Sequence, residues 1–169
     1  MLLLMAALLV ALDQLTKVWS ARTFSFGESM PLALGFNFTY VENTGAAFGL
    51  FRGVSFELFG LTVDGVVLLG IVSLLVSAGL LVYLLTRGRD LPFFGKFALY
   101  VILAGAVGNM IDRFAYGFVI DFIHFQVGSF NFPVFNVADI CVVLGAIMLF
   151  IWGFMDETAP KKKTSAVTD

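Results

Sequence analysis

Charge is the scarcest property of this sequence: 13% of its 169 residues are Asp, Glu, Lys or Arg, whereas 60% are hydrophobic. A soluble domain usually carries about twice that charged fraction, so the composition excludes an ordinary water-soluble protein. The formal net charge of -2 excludes a broad basic surface for nucleic acid. We therefore expect no nucleic-acid partner.

Cysteine and histidine are nearly absent, with one of each, Cys141 and His124. A lone cysteine cannot form an internal disulfide, and Cys141 lies in an apolar run, where a small buried hydrophobe is typical. A metal site would need several ligands at regular spacing, and no such spacing occurs. We expect no metal and interpret His124 as a structural side chain.

Long apolar runs are what the sequence has instead, and four of them can cross a bilayer core of about 30 Å as helices. They cover about residues 2–19, 66–85, 93–111 and 137–155. The first run lacks a preceding basic segment, and polar residues interrupt its end, so we interpret it as a retained span rather than a cleaved signal peptide. The sequence thus predicts an α-helical integral membrane protein with one four-span domain, 1–155, and a polar tail, 156–169.

Lysines and arginines are divided unevenly between the two sides of a four-span arrangement. One side has Arg87, Arg89, Lys96, Lys161, Lys162 and Lys163, and the other has Lys17, Arg22, Arg52 and Arg113. Cytoplasmic segments carry the excess of basic residues. We therefore expect both termini in the cytoplasm and the longer connections outside.

The two outer connections contain short strand-like patterns. Phe36–Val41, Phe118–Phe125 and Phe130–Val134 are rich in aromatic and β-branched residues, which favours strands. We interpret Val54–Leu61 as a short interfacial helix. The phenylalanines concentrated here would anchor the chain at the membrane interface or pack the core. The alternative is that they form a hydrophobic substrate-binding surface.

Polar residues in or beside the spans are costly in a bilayer and usually mark function. The polar candidates are Asp13, Lys17, Asn43, Asn109, Asp112, Arg113, Asp121, Asn136 and Asp139, and Gly108 is a further candidate beside Asn109. Asp13 and Lys17 are four residues apart and would share a helix face, where a structural ion pair is an equal possibility. Gly108 would permit close helix contact. Asn136 and Asp139 also fit a helix cap and its first turn.

Asp121 and Asp139 are the most informative pair, because both are expected at the same outer membrane depth. The apolar neighbours of Asp121 should raise its pKa. Two carboxylates in one desolvated site share a proton, so that together they can activate water and protonate a peptide carbonyl or leaving amine. Such a pair titrates as a unit. From the residues alone, a small transporter or channel with carboxylate ion sites and a structural scaffold remain open alternatives.

Five blocks in order resemble the motifs of the lipoprotein signal peptidase (signal peptidase II) family. They are Asp13–Lys17, Asn43–Phe48, Gly105–Arg113, Val119–Phe122 and Phe135–Asp139. The resemblance covers nearly the whole four-span chain. The sequence departs from the family in opening without a basic residue and in having Ala104 where glycine is frequent.

This resemblance implies an aspartic endopeptidase of the bacterial inner membrane. It would cleave diacylglyceryl-modified prolipoproteins just before the lipidated lipobox cysteine, near the outer face, without a cofactor. The implied catalytic residues are Asp121 and Asp139. Supporting or substrate-binding positions are Asp13, Asn43, Asn109, Arg113 and Asn136, to which the residue arguments add Lys17, Gly108 and Asp112.

The resemblance also implies a small periplasmic β-cradle and an interfacial helix, which fit Phe36–Val41 and Val54–Leu61. The expected partners are the prolipoprotein substrate and membrane lipids, and we expect a monomer.

Overall fold

The computed structural model describes residues 1–45, 53–58 and 61–158. Its helices are α1 (Leu2–Thr23), α2 (Gly65–Arg87), α3 (Phe93–Tyr116) and α4 (Val137–Thr158). Its strands are β1 (Ser29–Pro31), β2 (Phe36–Asn43), β3 (Ser55–Leu58), β4 (Leu61–Asp64), β5 (Val119–Val127) and β6 (Phe130–Asn131).

All four helices are long and apolar enough to cross a membrane, which confirms the four predicted spans. The helices extend past most of the predicted ends; α3, for example, continues beyond 111 to Tyr116. Asn109 and Asp112 are buried against neighbouring elements, so polar character there does not interrupt the helix. Gly117, with φ 77°, ends α3 in the left-handed conformation. Hydropathy therefore marks the apolar stretch of α3 and misses its polar last turn.

The predicted polar tail begins as helix rather than as irregular chain. α4 includes residues 156–158, and residues 159–169 lie outside the described part of the chain. The boundary at 155 therefore separates two compositions and not two conformations.

α3 is the central helix and packs against α1, α2 and α4. Its approach to α4 is very close, because a Cβ added at Gly105 would overlap the carbonyl oxygen of Ala138. Close contact through small residues is how helices associate in a bilayer, where burial of apolar surface contributes little. The predicted role of small residues in this part of α3 is confirmed.

A four-stranded antiparallel sheet, in the order β1-β2-β5-β6, joins the α1–α2 connection to the α3–α4 connection. We name it the outer sheet because it lies beyond the ends of the helices. β2 and β5 confirm two predicted strands, whereas the strand predicted over Phe130–Val134 is wrong beyond Asn131. Pro133 has no N–H to donate to a ladder, and Phe135 forms an isolated bridge with Ile123 instead. β5 contacts α1 and α3 as well as β2, so the sheet lies beside both helices.

The prediction of an interfacial helix over Val54–Leu61 is wrong. The segment contributes β3 and the first residue of β4, which pair as a hairpin with Phe56 opposite Val63 and Glu57 opposite Thr62. Apolar and polar residues alternate with a period of two, and that period fits a strand rather than a helix. Residues 59 and 60, between the strands, lie outside the described residues.

Candidate active site

The two aspartates reach one site from different elements. Asp121 lies in β5 opposite Val41 of β2, and its side chain is buried, with 2% of the residue exposed. Asp139 lies in the first turn of α4. The β2–β5 pairing and the start of α4 therefore bring two carboxylates 18 residues apart in sequence to one site.

Asn136 connects the two carboxylates. It caps α4 reciprocally with Asp139: the Asp139 N–H donates to Asn136 Oδ1 at 2.9 Å, and the Asn136 N–H donates to Asp139 Oδ2 at 3.2 Å. The Asn136 side-chain amide also donates to Asp121 Oδ1 at 2.6 Å. The predicted cap is confirmed, and the same residue is a hydrogen-bond donor to both aspartates.

Two further amides complete the donor set. Asn43 Nδ2 donates to Asp121 Oδ2 at 2.9 Å, and Asn109 Nδ2 donates to Asp139 Oδ1 at 2.8 Å. Within the described part of the chain, each carboxylate thus accepts two N–H hydrogen bonds, both from uncharged groups. This arrangement orients the carboxylates while leaving their protonation state variable. Of the Asn43–Phe48 block, residues 46–48 lie outside the described residues.

The pKa of Asp121 is raised from 3.8 to about 7, first by burial and then by the negative charge of Asp139. The amides of Asn43 and Asn136 and the charge of Lys17 act in the opposite direction. The sequence predicts that apolar neighbours raise the pKa of Asp121, and the shift has this direction. A carboxyl group that titrates near neutral pH can exist in either protonation state during a reaction.

A buried ion cluster lies beneath the aspartates. Lys17 of α1 is 1% exposed, and its Nζ lies 2.8 Å from Asp13 Oδ2 and 3.0 Å from Asp112 Oδ2. Its third hydrogen bond goes to Asn109 Oδ1 at 3.0 Å. An ammonium group has three donors, so every donor of this buried cation has an acceptor. The predicted Asp13–Lys17 ion pair is present and has a second carboxylate.

The bond from Lys17 determines which way the Asn109 amide points. Lys17 can only donate, so the Asn109 atom that faces it must be the oxygen. Asn136 Nδ2 donates to that same oxygen at 3.0 Å, and the Asn109 nitrogen is left facing Asp139. Amide orientations are often ambiguous, but here a cation fixes this one.

The two carboxylates of the cluster also bind the backbone beside each candidate catalytic aspartate. Asp13 Oδ1 accepts from the N–H of Ala138 at 2.8 Å, and Asp112 Oδ2 accepts from the N–H of Ile120 at 3.0 Å. Ala138 and Ile120 immediately precede Asp139 and Asp121. One lysine therefore links, through two carboxylates, the backbone segments that carry both members of the pair.

Gln14 belongs to this cluster and was not among the predicted site residues. Its amide donates to Asp112 Oδ1 at 2.9 Å and to the carbonyl of Gly108 at 3.2 Å. Its spacing of three residues from Lys17 places both on one side of α1, and that spacing was the available signal. Gly108 itself is closely packed, since an added Cβ would lie 2.6 Å from Asp13 Oδ2.

Arg113 and His124 have different relations to the site. Arg113 is half-buried, donates from Nη1 to the Asn109 carbonyl at 3.3 Å, and interacts electrostatically with Asp139 and Asp121. His124 lies on the outer sheet, with hydrogen-bonding partners Thr39 and Asn131. The structure therefore places Arg113 at the pair and His124 away from it.

The pair opens into a cavity of about 770 Å³. Its polar lining comes from Asn43, Ser73, Asn109, Arg113, Asp121 and Asp139, and most of its remaining lining is apolar. The apolar residues are contributed mainly by α2, by α4 and by the segment between β6 and α4. Among the described residues, no three His, Cys, Asp or Glu side chains are arranged to hold a metal ion.

The known proteins that match this chain in sequence carry the name of a single family. The family model described as signal peptidase (SPase) II matches residues 5–155. Two proteins named lipoprotein signal peptidase, from Trichormus variabilis and Syntrophus aciditrophicus, are 45% and 37% identical to this chain. The first alignment covers 82% of this chain and 80% of its relative, and the second covers 88% and 89%.

A solved structure has a similar fold. A bacterial membrane enzyme determined by the in meso method at 2.3 Å resolution superposes with a TM-score of 0.81 at 29% identity, covering 96% of this chain and 92% of that one. A second, at 1.9 Å resolution, gives a TM-score of 0.75 at the same identity and covers 92% and 93%. The likeness therefore extends over nearly the whole of both chains.

Proposed function

We propose that Asp121 and Asp139 form the catalytic dyad of this chain, which belongs to the signal peptidase II family. The chain is an aspartic endopeptidase that processes prolipoproteins, as the family does. One observation carries the assignment of the dyad. Both aspartates accept hydrogen bonds from Asn136 and line the same cavity.

The dyad acts as one acid–base unit. Close carboxylates do not both ionise easily, so one proton is shared between them near neutral pH. The ionised group removes a proton from water, whose oxygen attacks the peptide carbonyl carbon. The protonated group donates to the carbonyl oxygen, and the dyad then protonates the leaving amine as the C–N bond breaks. A pKa near 7 for Asp121 supports this description.

The substrate is a prolipoprotein whose lipobox cysteine carries diacylglycerol, and the bond cut precedes that cysteine. The cavity supports this choice, because its polar end holds the dyad while apolar side chains of α2 and α4, such as Val76, Val143 and Leu144, form its walls. Acyl chains would contact those walls, and the scissile bond would lie at the polar end. The membrane lipids are then the route by which a lipidated substrate arrives.

The surrounding polar residues support the dyad in two ways. Asn43, Asn109 and Asn136 orient the carboxylates by direct hydrogen bonds. The buried residues Asp13, Lys17, Gly108 and Asp112 hold the backbone and the Asn109 amide in place. Arg113, at the cavity wall, is suited to bind a substrate carbonyl or to balance the charge of the dyad.

We place the protein in the bacterial inner membrane with both termini in the cytoplasm and the dyad near the outer face. Support comes from Arg87, Arg89 and Lys96, which lie at the α2–α3 connection, opposite the sheet that carries Asp121. A single monomeric domain, 1–155, with a cytoplasmic tail, 156–169, fits this arrangement. In a Cys141→Ala background, Asp90→Cys in the α2–α3 connection should be labelled only after permeabilisation of the inner membrane, and Ser25→Cys, just after α1, without it; both positions are exposed.

The decisive experiment uses the full chain in lipid with a diacylglyceryl-modified precursor. Asp121→Asn and Asp139→Asn should each abolish cleavage without loss of folded protein, and a chelator should leave wild-type cleavage unchanged. Asp90→Asn, which removes an exposed carboxylate in the α2–α3 connection, is the matched control and should cleave normally. Substantial cleavage by either dyad variant would overturn the assignment. Cleavage of an unlipidated precursor at the same rate would overturn the substrate class.

A further inference from the structure

The outer sheet has one polar and one apolar face. Residues paired directly across an antiparallel ladder share a face, and neighbours along a strand alternate between faces. The polar pairs are Ser29–Thr39, Asn37–His124 and Gln126–Asn131, and the apolar pairs are Met30–Phe38, Phe36–Phe125 and Val127–Phe130. Pro31 opposite Asn37 is a mixed pair in this part of the sheet, and the pairs beyond the register shift in β2, such as Val41–Asp121, are mixed as well. The separation of the two chemistries therefore belongs to the part of the sheet farthest from the aspartates.

The polar face is joined by contacts of its own side chains. The hydroxyls of Ser29 and Thr39 are 2.7 Å apart, and Thr39 Oγ1 lies 3.4 Å from His124 Nδ1. The other ring nitrogen of His124 is 2.7 Å from Asn131 Oδ1. A face made of such polar side chains is suited to contact with water.

The apolar face is left uncovered at its outer end. Six apolar side chains from this face and the β1–β2 turn form what we name the hairpin patch, each between 41% and 89% exposed. They are Met30, Leu32, Leu34, Phe36, Val127 and Phe130. The two turns adjoin, because a Cβ added at Gly35 would overlap the side chain of Val127. Exposed apolar surface of this kind usually marks a contact with a partner or a membrane.

Leu34 is the most informative member of the patch. It is 89% exposed and has a φ of 56°, a left-handed conformation in which asparagine or glycine is far less strained. Leucine at this position thus combines backbone strain with apolar exposure in water. Contact of the side chain with an apolar phase would account for an exposed leucine at a position whose backbone conformation favours glycine or asparagine.

The patch is continuous with the lipid-facing surface of α1. Exposed residues at spacings of four, three and four form a stripe along that helix, and they are Leu8, Leu12, Leu15 and Trp19. The ring of Trp19 lies 5.1 Å from that of Phe38, and Phe38 is paired with Met30. Tryptophan is typical of the boundary between lipid and water. The stripe therefore leads from the bilayer onto the apolar face of the sheet.

We propose that the hairpin patch inserts into the bilayer leaflet beside the C-terminal end of α1, at the boundary of headgroups and acyl chains. The polar face of the sheet then faces water. The patch contains no charged residue, so its contact is with acyl chains and does not need anionic headgroups. This proposal rests on membrane insertion of α1 and does not depend on the catalytic assignment.

The test uses the full chain in vesicles of phosphatidylcholine, with Cys141→Ala as the background so that one labelled thiol remains. Leu34→Cys and, as matched control from the same hairpin, Ser29→Cys are labelled with an environment-sensitive fluorophore. Spin-labelled phosphatidylcholine should quench the label at 34 several-fold more than the label at 29, and aqueous iodide should show the reverse order. Phe130→Cys, in the second hairpin, should behave like Leu34→Cys and serves if the first variant misfolds.

Three outcomes would overturn the proposal. The first is equal iodide quenching at positions 29 and 34, and the second is lipid quenching that appears only after phosphatidylglycerol is added. The third is a label at 34 that lipid does not quench but that a lipidated precursor shields from iodide, which would make the patch a peptide-binding surface.

Discussion

Between α1, α3 and α4, polar side chains are enclosed, whereas on the outer sheet a similar number of polar side chains lies at the surface. Lys17 has three acceptors and no access to water. His124 also has its ring nitrogens beside partners, but water can replace either partner. The two regions therefore differ in the consequence of removing one partner, and not in how well each is paired.

This difference arises from solvation. A buried charge without its partner keeps the full cost of desolvation, and breaking a buried ion pair typically costs about 3–5 kcal/mol. A hydrogen bond near the surface contributes about 1 kcal/mol net, because water substitutes for it. We therefore expect substitutions in the ion cluster to affect stability and the dyad together, and substitutions on the polar sheet face to affect neither strongly.

The largest effect is expected for Lys17→Met. Asp13 and Asp112 would face each other without a cation, and the Asn109 amide would lose the contact that fixes its orientation toward Asp139. We expect destabilisation of about 3–5 kcal/mol and loss of nearly all precursor cleavage, measured by thermal unfolding in detergent and by cleavage in membranes. Arg22→Met, which removes an exposed cation from the same helix, is the control. Near-normal cleavage by Lys17→Met would show that the cluster is dispensable.

A smaller effect is expected where the cluster is tightly packed. In Gly108→Ala the new methyl group would lie 2.6 Å from Asp13 Oδ2 and 3.0 Å from Ala138 Cβ, and overpacking of this kind costs about 1–3 kcal/mol. Gly79→Ala in α2 is a matched control, since nothing lies within 4 Å of its added Cβ. Alanine there should leave the unfolding temperature unchanged or raise it. Equal behaviour of the two variants would contradict the close approach of α3 to α1 and α4.

The members of the cluster are easier to recognise in the sequence than their arrangement in space. Asp13 and Lys17 were paired from their spacing on one helix, and Asn136 with Asp139 was recognisable as a cap. The links from Asp13 to Ala138 and from Asp112 to Ile120 join residues distant in sequence. No local periodicity encodes such contacts, because they depend on how the helices pack.

On the outer sheet, the sequence predicts the longer strands but not β1. Phe36–Val41 and Phe118–Phe125 were readable as strands because aromatic and β-branched residues favour them. β1 was missed because a strand of three residues, Ser29–Pro31, has too few positions to show alternation. The interfacial helix expected over Val54–Leu61 is wrong because alternation with a period of two fits a strand, and the pairing of Ser55–Leu58 with Leu61–Asp64 forms a hairpin.

The pH dependence of stability tests the buried end of β5. Because the pKa of Asp121 rises from 3.8 to about 7 on folding, the folded state holds a proton that the unfolded chain releases between those values. The stability from this group is fully present below about pH 4 and is lost as pH rises through about 7. The unfolding temperature should fall by a few degrees more over that window in the wild type than in Asp121→Asn. Identical pH profiles for the two proteins would contradict the raised pKa.

The smallest effect is expected on the polar face of the outer sheet. His124→Gln keeps a polar side chain beside Thr39 and Asn131, and any lost hydrogen bond is replaced by water. We expect a change in the free energy of unfolding below about 1 kcal/mol and precursor cleavage at nearly the wild-type rate, measured beside Lys17→Met under identical conditions. A large loss of cleavage without loss of stability would show that His124 takes part in the reaction. The polar face of the sheet would then be required for activity, contrary to the expected difference between the enclosed and the exposed polar residues.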